Sequence, residues 1–468
     1  FATEPFSLTT AALECFGSAN FALTLIHGLT ISAIDAIASH GSVDQQARWL
    51  PRLITGEWSG TMNLTEPQAG SDVGALSTTA EPVGDNQYLI KGTKIFISFG
   101  EHDLADNIVH LVLARIKGAP GGTRGISLFL VPKYRLDARG LPDAFNDVRC
   151  LSIENKLGLH ASPTCVMSFG EEGGCIGELV GAENAGMQAM FTMMNSARLN
   201  VGNQGVQIAE AATQKAVAFA RERIQSVRAD GSSGKHPVPI REHPDVARML
   251  LRMRALTEAA RAIIYYTAGW VDRQAAEVEG AAARLGLLTP LAKAWCTDIG
   301  SEVASLAIQV HGGMGYVEET GIAQFYRDVR ITSIYEGTNG IQAADLVSRK
   351  LWADGGAAMR GLLNEVAADL HDEKEMLKLH KAVSDGAAWL LTADINDRLA
   401  GSYAFLTMTA TLVAGWRLLR QARAVDAEGA AFRAAKVQVV EFFLSQIVPA
   451  AAGIAPQVKV GAALLHAN

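Results

Sequence analysis

The spacing of apolar positions divides the chain into a helical beginning, a strand-rich middle and a long helical remainder. Residues 1–60 have a helical pattern that ends in a turn at Gly56. From about residue 61 to 180, short β-rich runs alternate with Gly- and Pro-rich breaks, which predicts a small antiparallel sheet or barrel. The predicted strands are Tyr88–Lys91, Lys94–Phe99, Ile108–Arg115, Ile126–Val131 and Cys165–Phe169.

After Gly186 the apolar positions recur at three- and four-residue steps, which indicates long amphipathic helices. The predicted helices cover about 187–224, 241–278, 283–311 and 338–352. Beyond residue 355 the chain is Ala-rich and again helical, with no strand pattern. Its apolar run Leu399–Trp416 contains Gly and Thr, so we predict a buried core helix and no membrane span. This order of elements differs from the alternating βαβ pattern of parallel-sheet proteins.

Composition narrows the possible functions. The chain has 468 residues, 49% of them apolar, enough for a large core and several domains. With 41 basic and 48 acidic residues the net charge is −7 and no Lys/Arg block stands out, so a nucleic-acid partner is not expected. Five cysteines without a CxxC pair indicate reduced thiols, and Phe1 begins no signal peptide pattern, so a cytoplasmic location is expected.

The common nucleotide and metal motifs are absent from the sequence. It contains no GxGxxG, P-loop, HExxH or GxSxG pattern. A flavin or nucleotide would therefore be held in another way, and no metal site is predicted.

Two segments of the β-rich region could hold a ring or an anion. In Met62–Asp72, the backbone amides of Ala69, Gly70 and Ser71 could face an anion or a polar ring edge. In Lys94–Gly100, an aromatic residue and a hydroxyl alternate onto one strand face, which suits contact with an aromatic ring. Taken singly, the first segment is equally typical of a polar loop and the second of a half-buried strand.

A third segment, Ile334–Gln342, places a lone carboxylate, Glu336, before a predicted helix start. Thr338 or Asn339 can cap that helix. Burial would raise the pKa of Glu336 and the helix start would lower it. A carboxylate in this position can act as a general base, although a lone Glu before a helix is more often exposed and without a role.

In order and spacing, the three segments resemble the signatures of the acyl-CoA dehydrogenase family over residues 40–352. The stretch Glu57–Asp72 resembles the first signature and Tyr335–Thr338 the catalytic one. The resemblance implies an α+β fold with a helical N-terminal part, a central antiparallel β-domain, a C-terminal four-helix bundle and an extra C-terminal helical domain. The expected domains are 1–60, 61–182, 183–353 and 354–468. The extra length resembles the branch of 3-methylmercaptopropionyl-CoA dehydrogenases and long bacterial fatty acyl-CoA dehydrogenases.

The resemblance also implies a role for individual residues. Glu336 matches the base that removes the α-proton of an acyl-CoA. The residues matched to FAD lie in the first loop, on the following strand, near a subunit interface and at the helix start. They are Met62, Leu64, Thr65, Gly70, Ser71, Phe96, Ile97, Ser98, Arg223, Gln225, Gln309, Gly312, Gly313, Thr338 and Gly340. Those matched to the acyl-CoA are Ser71, Asn195, Arg198 and Gly337.

The implied reaction is an FAD-dependent α,β-dehydrogenation of an acyl-CoA thioester to a trans-2-enoyl-CoA, with hydride transfer to flavin N5. The acyl group would be a fatty acyl chain or 3-methylthiopropionyl. An electron-transferring flavoprotein would accept the electrons, and the protein would be a homodimer or homotetramer. A flavin-dependent monooxygenase or oxidase on the same fold remains an alternative. A non-enzymatic or nucleic-acid-associated relative is opposed by the net charge.

Overall fold

The computed structural model describes residues 4–425 and 429–465, except for the side chains at positions 192, 193, 195 and 196. The described chain groups into two compact units. Among the described residues, the first contains residue 4 and residues 20–197. The second contains residues 5–19 and everything from residue 198 onward, so the division falls inside one long helix. The four predicted domain boundaries remain predictions.

The secondary structure follows the predicted order of helix, strand and helix. The helices are α1 Phe6–Ala19, α2 Phe21–His40, α3 Val43–Thr55, α4 Gly186–Glu222, α5 Pro244–Ala275, α6 Ala281–His311, α7 Ile322–Val329, α8 Asn339–Asp345, α9 Ala357–Leu370, α10 Lys374–Leu390, α11 Ile395–Ala400, α12 Ser402–Ala424, α13 Ala430–Phe442, α14 Val448–Gly453 and α15 Ala455–Val458. The strands are β1 Trp58–Asn63, β2 Thr79–Gly84, β3 Gln87–Ser98, β4 Asn107–Ile116, β5 Ile126–Pro132, β6 Tyr134–Leu136, β7 Pro142–Phe145, β8 Val148–Ile153, β9 Thr164–Phe169 and β10 Ile176–Val180. The helices predicted between residues 187 and 352 are confirmed, whereas α7 was not predicted.

The first unit is built around a closed ring of strands. Neighbours pair in the order β4, β5, β10 and β3, and β2 closes the ring because it pairs with both β3 and β4. The predicted barrel is therefore confirmed. Most strand pairs are antiparallel, as predicted, and two pairs are parallel, because β1 and β2 both run parallel to β4. Closure leaves few free edges in the ring and gives a rigid support for the loops at its rim.

Two strands predicted on either side of Gly92 are one continuous strand, β3. A Cβ at Gly92 would lie 2.3 Å from the Thr78 hydroxyl oxygen, so glycine serves close packing here rather than a turn. Helix α3, in contrast, ends as predicted at Gly56, whose φ of 80° is left-handed. In the core, the rings of Trp49 and Trp58 pack with their centroids 5.4 Å apart.

The second unit is a helical assembly in which the C-terminal helices share one core with the bundle. Phe405, Trp416 and Phe443 are fully buried, and the ring of Trp416 packs edge-on against Tyr266 at 5.4 Å. The predicted core helix is confirmed for the part of the run that lies in α12, which is largely buried from Ala404 to Trp416, whereas Leu399 lies in α11 and is exposed, as is Tyr403. Each fully buried aromatic side chain contributes roughly 1.5–3 kcal/mol by leaving water.

Helices α4 and α6 approach closely at small residues. A Cβ at Gly205 would lie 2.2 Å from the carbonyl oxygen of Cys296, and one at Gly202 would lie 2.7 Å from that of Ala292. Larger side chains at either position would push the helices apart. The close approach places the middle of α6 beside α4.

Two helical stretches, Phe21–His40 and Ala430–Val458, are long and apolar enough to cross a membrane by length and composition alone. Within the protein, 44% and 33% of their most apolar windows are buried. Core helices pass the same test. The expected absence of a membrane span stays a prediction.

Candidate active site

Glu336 lies in a strained loop that leads into helix α8. Its φ is 54°, which is left-handed for a residue with a side chain, and Gly337 follows with a φ of 84°. A Cβ at Gly337 would lie 2.8 Å from Nε2 of Gln342. Thr338 then caps α8, because its hydroxyl accepts the N–H of Ile341 at 3.2 Å. The predicted place of Glu336 before a helix start is confirmed.

The carboxylate of Glu336 is half-buried and forms no hydrogen bond within the part of the chain that the structure describes. Burial raises the pKa of Glu336, and the charges of Arg198 and Lys293 partly oppose that rise. Its backbone N–H is also without an acceptor among the described residues. An ionisable group with a raised pKa and no internal partner is available for proton transfer.

Two buried cations face this carboxylate. Arg198, on α4, is 9% exposed, and its Nε has no partner among the described residues. Its Nη2 lies 4.0 Å from the position that a Cβ on Gly337 would take. Lys293, on α6, is fully buried, and burial lowers its pKa to about 7 against the charges of Glu336 and Asp298.

Lys293 was not among the sequence-predicted site residues. Its Nζ donates to Oδ1 of Asn339 at 2.9 Å. The available signal was a lone charged residue inside the apolar run that continues from Leu287 to Cys296. A single Lys on a helix, however, is more often solvent-exposed than buried, so the sequence alone gave no reason to select it.

A polar network extends from Lys293 through the start of α8. The amide nitrogen of Asn339 donates to Oδ1 of Asp298 at 2.8 Å and to the carbonyl oxygen of Ala294 at 3.1 Å. The hydroxyl of Tyr403 donates to the other oxygen of Asp298 at 2.6 Å. Burial raises the pKa of Asp298, and the hydrogen bonds from Tyr403 and Asn339 oppose the rise.

In the first unit, a buried ion pair anchors the loop that follows β1. Nζ of Lys94 lies 2.8 Å from Oε1 of Glu66 and 3.0 Å from the carbonyl oxygen of Leu64. Glu66 also accepts the N–H and hydroxyl groups of Ser77 and Thr78. Burial alone would raise the pKa of Glu66, but the Lys94 charge and these donors hold it well below its usual range. The loop is thereby tied to β3.

The end of β3 does not alternate regularly. The register with β9 shifts between Lys94 and Ile97, which is a β-bulge, and Phe96 has a left-handed φ of 60°. The regular alternation expected for Phe96 and Ser98 is therefore interrupted. The bulge leaves Phe96 60% exposed, while Ile97 is buried and Ser98 is half-buried.

Of the three backbone amides in the loop that were proposed to face an anion, one already donates a hydrogen bond within the protein. The N–H of Ala69 donates to the carbonyl oxygen of Glu66 at 3.0 Å, so that expectation was wrong for Ala69. Gly70 and Ser71 are exposed. Met62, at the end of β1, is buried, and Thr65 is half-buried.

The other predicted residues lie on exposed parts of the second unit. The guanidinium of Arg223 donates to the side-chain oxygen of Gln225 at 3.2 Å, and both residues are exposed. The exposed residues at the end of α6 and at the start of α8 are Gln309, Gly312, Gly313 and Gly340. The side chain of Asn195 lies outside the described residues. The structure thus brings Glu336, Gly337, Thr338 and Arg198 together, and the roles of these and of the remaining predicted residues stay predictions.

Comparisons with known proteins identify families and relatives that this chain resembles. The family models described as acyl-CoA dehydrogenase middle domain, acyl-CoA dehydrogenase C-terminal domain and acetyl-CoA dehydrogenase C-terminal-like match residues 61–171, 184–351 and 350–467. The chain is 48% identical to the 3-methylmercaptopropionyl-CoA dehydrogenase of Ruegeria pomeroyi, covering 94% of this chain and 78% of that protein. It is 36% identical to the broad-specificity linear acyl-CoA dehydrogenase of Mycobacterium tuberculosis, covering 88% and 74%.

A solved structure supports the fold. The acyl-CoA dehydrogenase of Bacillus anthracis, complexed with FAD, is similar with a TM-score of 0.79 and 22% identity, covering 97% of this chain and 78% of that one. The predicted family, fold class and cofactor are confirmed by these matches together. The chain therefore belongs to the acyl-CoA dehydrogenase family, whose members are FAD-dependent oxidoreductases.

Proposed function

We propose that this protein oxidises an acyl-CoA thioester to a trans-2-enoyl-CoA, with Glu336 as the base that removes the α-proton. The observation that carries the proposal is the half-buried carboxylate of Glu336, which has a raised pKa and no internal hydrogen bond among the described residues. A base whose pKa approaches the working pH holds an abstracted proton more readily than an exposed carboxylate does. An exposed glutamate before a helix would not have a pKa raised by burial.

An α-proton of a thioester is too weakly acidic for a carboxylate alone. The negative charge that develops on the thioester oxygen needs a donor, and one such donor is typically worth about 3–4 kcal/mol. The backbone N–H of Glu336 has no acceptor among the described residues and is available for this role. The left-handed φ of Glu336 and of Gly337 holds the backbone in the conformation that leaves this N–H free.

The residues of each unit fit FAD. In the first unit, the hydroxyls of Thr65, Ser71 and Ser98 form no hydrogen bond within the described part of the chain, and Phe96 presents an exposed aromatic face. These groups would hold the flavin ring through hydrogen bonds and stacking. In the second unit, the exposed guanidinium of Arg223 and the exposed glycines after α6 suit a diphosphate. When bound, FAD supplies the acceptor for the β-hydrogen as hydride.

The substrate, acceptor and assembly are proposed from the family. The 48% identity to the Ruegeria pomeroyi enzyme supports a 3-methylthiopropionyl thioester, and the Mycobacterium tuberculosis relative supports a linear fatty acyl-CoA. We propose an electron-transferring flavoprotein as acceptor, a homodimer or homotetramer, and a cytoplasmic location. A monooxygenase would not need a carboxylate base in the position of Glu336.

The test is an anaerobic titration of the FAD-loaded protein with acyl-CoA thioesters of increasing length, including the 3-methylthiopropionyl thioester. Loss of flavin absorbance at one equivalent, with an enoyl-CoA identified by mass, is the expected result. A flavin that stays oxidised with every thioester would contradict the proposal. Stoichiometric peroxide formation in air would indicate an oxidase instead.

A further inference from the structure

The chain beyond residue 355 contains none of the residues matched to catalysis or FAD. One of its side chains nevertheless belongs to the polar network that extends from Lys293 to the start of α8. Tyr403, near the start of α12, donates its hydroxyl to Oδ2 of Asp298 at 2.6 Å. Asp298 lies on α6, in the bundle. The bond therefore joins the additional C-terminal helices to the helix that carries Lys293.

Asp298 in turn holds the first residue of α8. Its Oδ1 accepts the amide of Asn339 at 2.8 Å, and the amide oxygen of Asn339 accepts Nζ of Lys293 at 2.9 Å. The Asn339 side chain is 4% exposed and uses both its donor and its acceptor sides. A side-chain amide satisfied on both sides in a buried site has one favoured orientation.

Asn339 is three residues beyond Glu336, and the intervening backbone has little freedom. Glu336 and Gly337 are left-handed, and Thr338 is fixed by its hydrogen bond to the N–H of Ile341. A shift of Asn339 would therefore be transmitted to the carboxylate. In an active site, displacement of a reacting group by about 1 Å costs on the order of a hundredfold in rate.

We propose that Tyr403, Asp298, Asn339 and Lys293 form a positioning network that holds Glu336 in place, so that the C-terminal helices support the base. The proposal rests on the proposed function of Glu336. None of the four residues is assigned contact with substrate, and each acts through the loop or through its charge.

The network also contains a charge that acts on the pKa of Glu336. The charged and titratable groups that face Glu336 are Arg198 from α4, Lys293 from α6 and Tyr335 from its own loop. Asp298 faces Lys293 on the same helix. Because the Lys293 cation favours the ionised form of Glu336, its removal should raise the pKa of the base.

The first experiment replaces Tyr403 with Phe, which deletes one hydroxyl and keeps the ring. We expect the anaerobic rate of flavin reduction at saturating acyl-CoA to fall roughly three- to tenfold, because the weakened network holds Glu336 less firmly in its reactive position. The dissociation constant for acyl-CoA and the FAD content should stay unchanged. Tyr326→Phe is the matched control, since Tyr326 is 42% exposed against 41% for Tyr403 and its hydroxyl has no partner among the described residues.

A Tyr403→Phe rate within about twofold of wild type would overturn the proposal. An equal loss in Tyr326→Phe would do the same. If the wild-type flavin is not reduced by any acyl-CoA, the proposed function itself fails, and this outcome is distinct because it does not depend on the variants.

The second experiment uses Lys293→Met and Asp298→Asn and follows the rate of flavin reduction against pH. Lys293→Met should move the acid limb of the profile to higher pH, whereas Asp298→Asn should lower the plateau. If Lys293 had only a structural role, its replacement would lower the FAD content or the stability and would leave the acid limb of the pH profile in place. If the acid limb is unshifted in soluble, FAD-loaded Lys293→Met, the proposed effect of the Lys293 charge on the pKa of Glu336 is overturned. If Lys293→Met does not fold, the comparison of Tyr403→Phe with Tyr326→Phe still tests whether the network positions Glu336.

Discussion

Nζ of Lys94 lies 2.8 Å from Oε1 of Glu66, and both side chains are sealed from solvent. The pair connects β3 to the loop that carries the predicted FAD residues Leu64, Thr65, Gly70 and Ser71. Lys94 also donates to the carbonyl oxygen of Leu64, one residue before Thr65 in that loop. The same two side chains therefore serve the stability of the barrel and the shape of a proposed cofactor site.

Lys94→Met should destabilise the protein by about 3–5 kcal/mol, because it leaves Glu66 as an uncompensated buried charge. FAD retention should weaken as well, since the Leu64 carbonyl loses its donor. The urea midpoint and the flavin absorbance after gel filtration measure the two effects. Lys381→Met is the control: Lys381 pairs with Asp385 on an exposed helix face, so its loss should change stability by less than about 1 kcal/mol. Equal midpoints for the two variants would contradict the assignment.

Glu336→Gln should abolish nearly all turnover while FAD and acyl-CoA remain bound, because the amide cannot accept the α-proton. The variant should be at least as stable as wild type at neutral pH. Burial raises the pKa of Glu336, so the folded protein favours the protonated carboxyl and ionisation costs stability above its ordinary pKa. Stopped-flow flavin reduction and a thermal melt are the measurements, and an active Glu336→Gln enzyme would exclude Glu336 as the base.

The rate of flavin reduction should fall as pH decreases through the raised pKa of Glu336. The base works only when ionised, so the acid limb of the profile should lie above the usual value of 4.5 for a glutamate. The thioester group itself does not titrate in this range, so at saturating acyl-CoA the limb reports the enzyme–substrate complex. A profile that is flat down to pH 4.5 would show that a different group controls the step.

Trp416→Ala should destabilise the protein by about 3–5 kcal/mol, as expected for a large aromatic residue removed from a core. Its ring is fully buried against Tyr266, and its Nε1 donates to Asp369 at 2.7 Å. Leu377→Ala, at a 41% exposed position of α10, should change the free energy of unfolding by only about 0.5 kcal/mol. Light scattering on heating should show earlier aggregation for Trp416→Ala alone. If both variants melt at the wild-type temperature, the C-terminal helices do not share the core of the bundle.

The sequence by itself determined the order of elements and the position of the proposed base before a helix start. Local signals were sufficient for both, because helical periodicity, a capping threonine at 338 and the Gly56 helix end are properties of neighbouring residues. The family resemblance came from the same kind of local pattern, in the segments around Thr65 and Glu336. These features depend on residues a few positions apart, so they can be read without the fold.

Only the tertiary structure decided which polar residues are buried together. Lys293 and Asp298 meet Asn339 from 46 and 41 positions away, and Tyr403 meets Asp298 from 105 positions away. Nothing near a lone Lys or Tyr in the sequence indicates such a partner. The parallel pairing of β1 with β4 and the bulge at Phe96 are likewise set by contacts between distant parts of the chain. Long-range packing chooses these contacts, because a buried charge is tolerated only where distant side chains supply its partners.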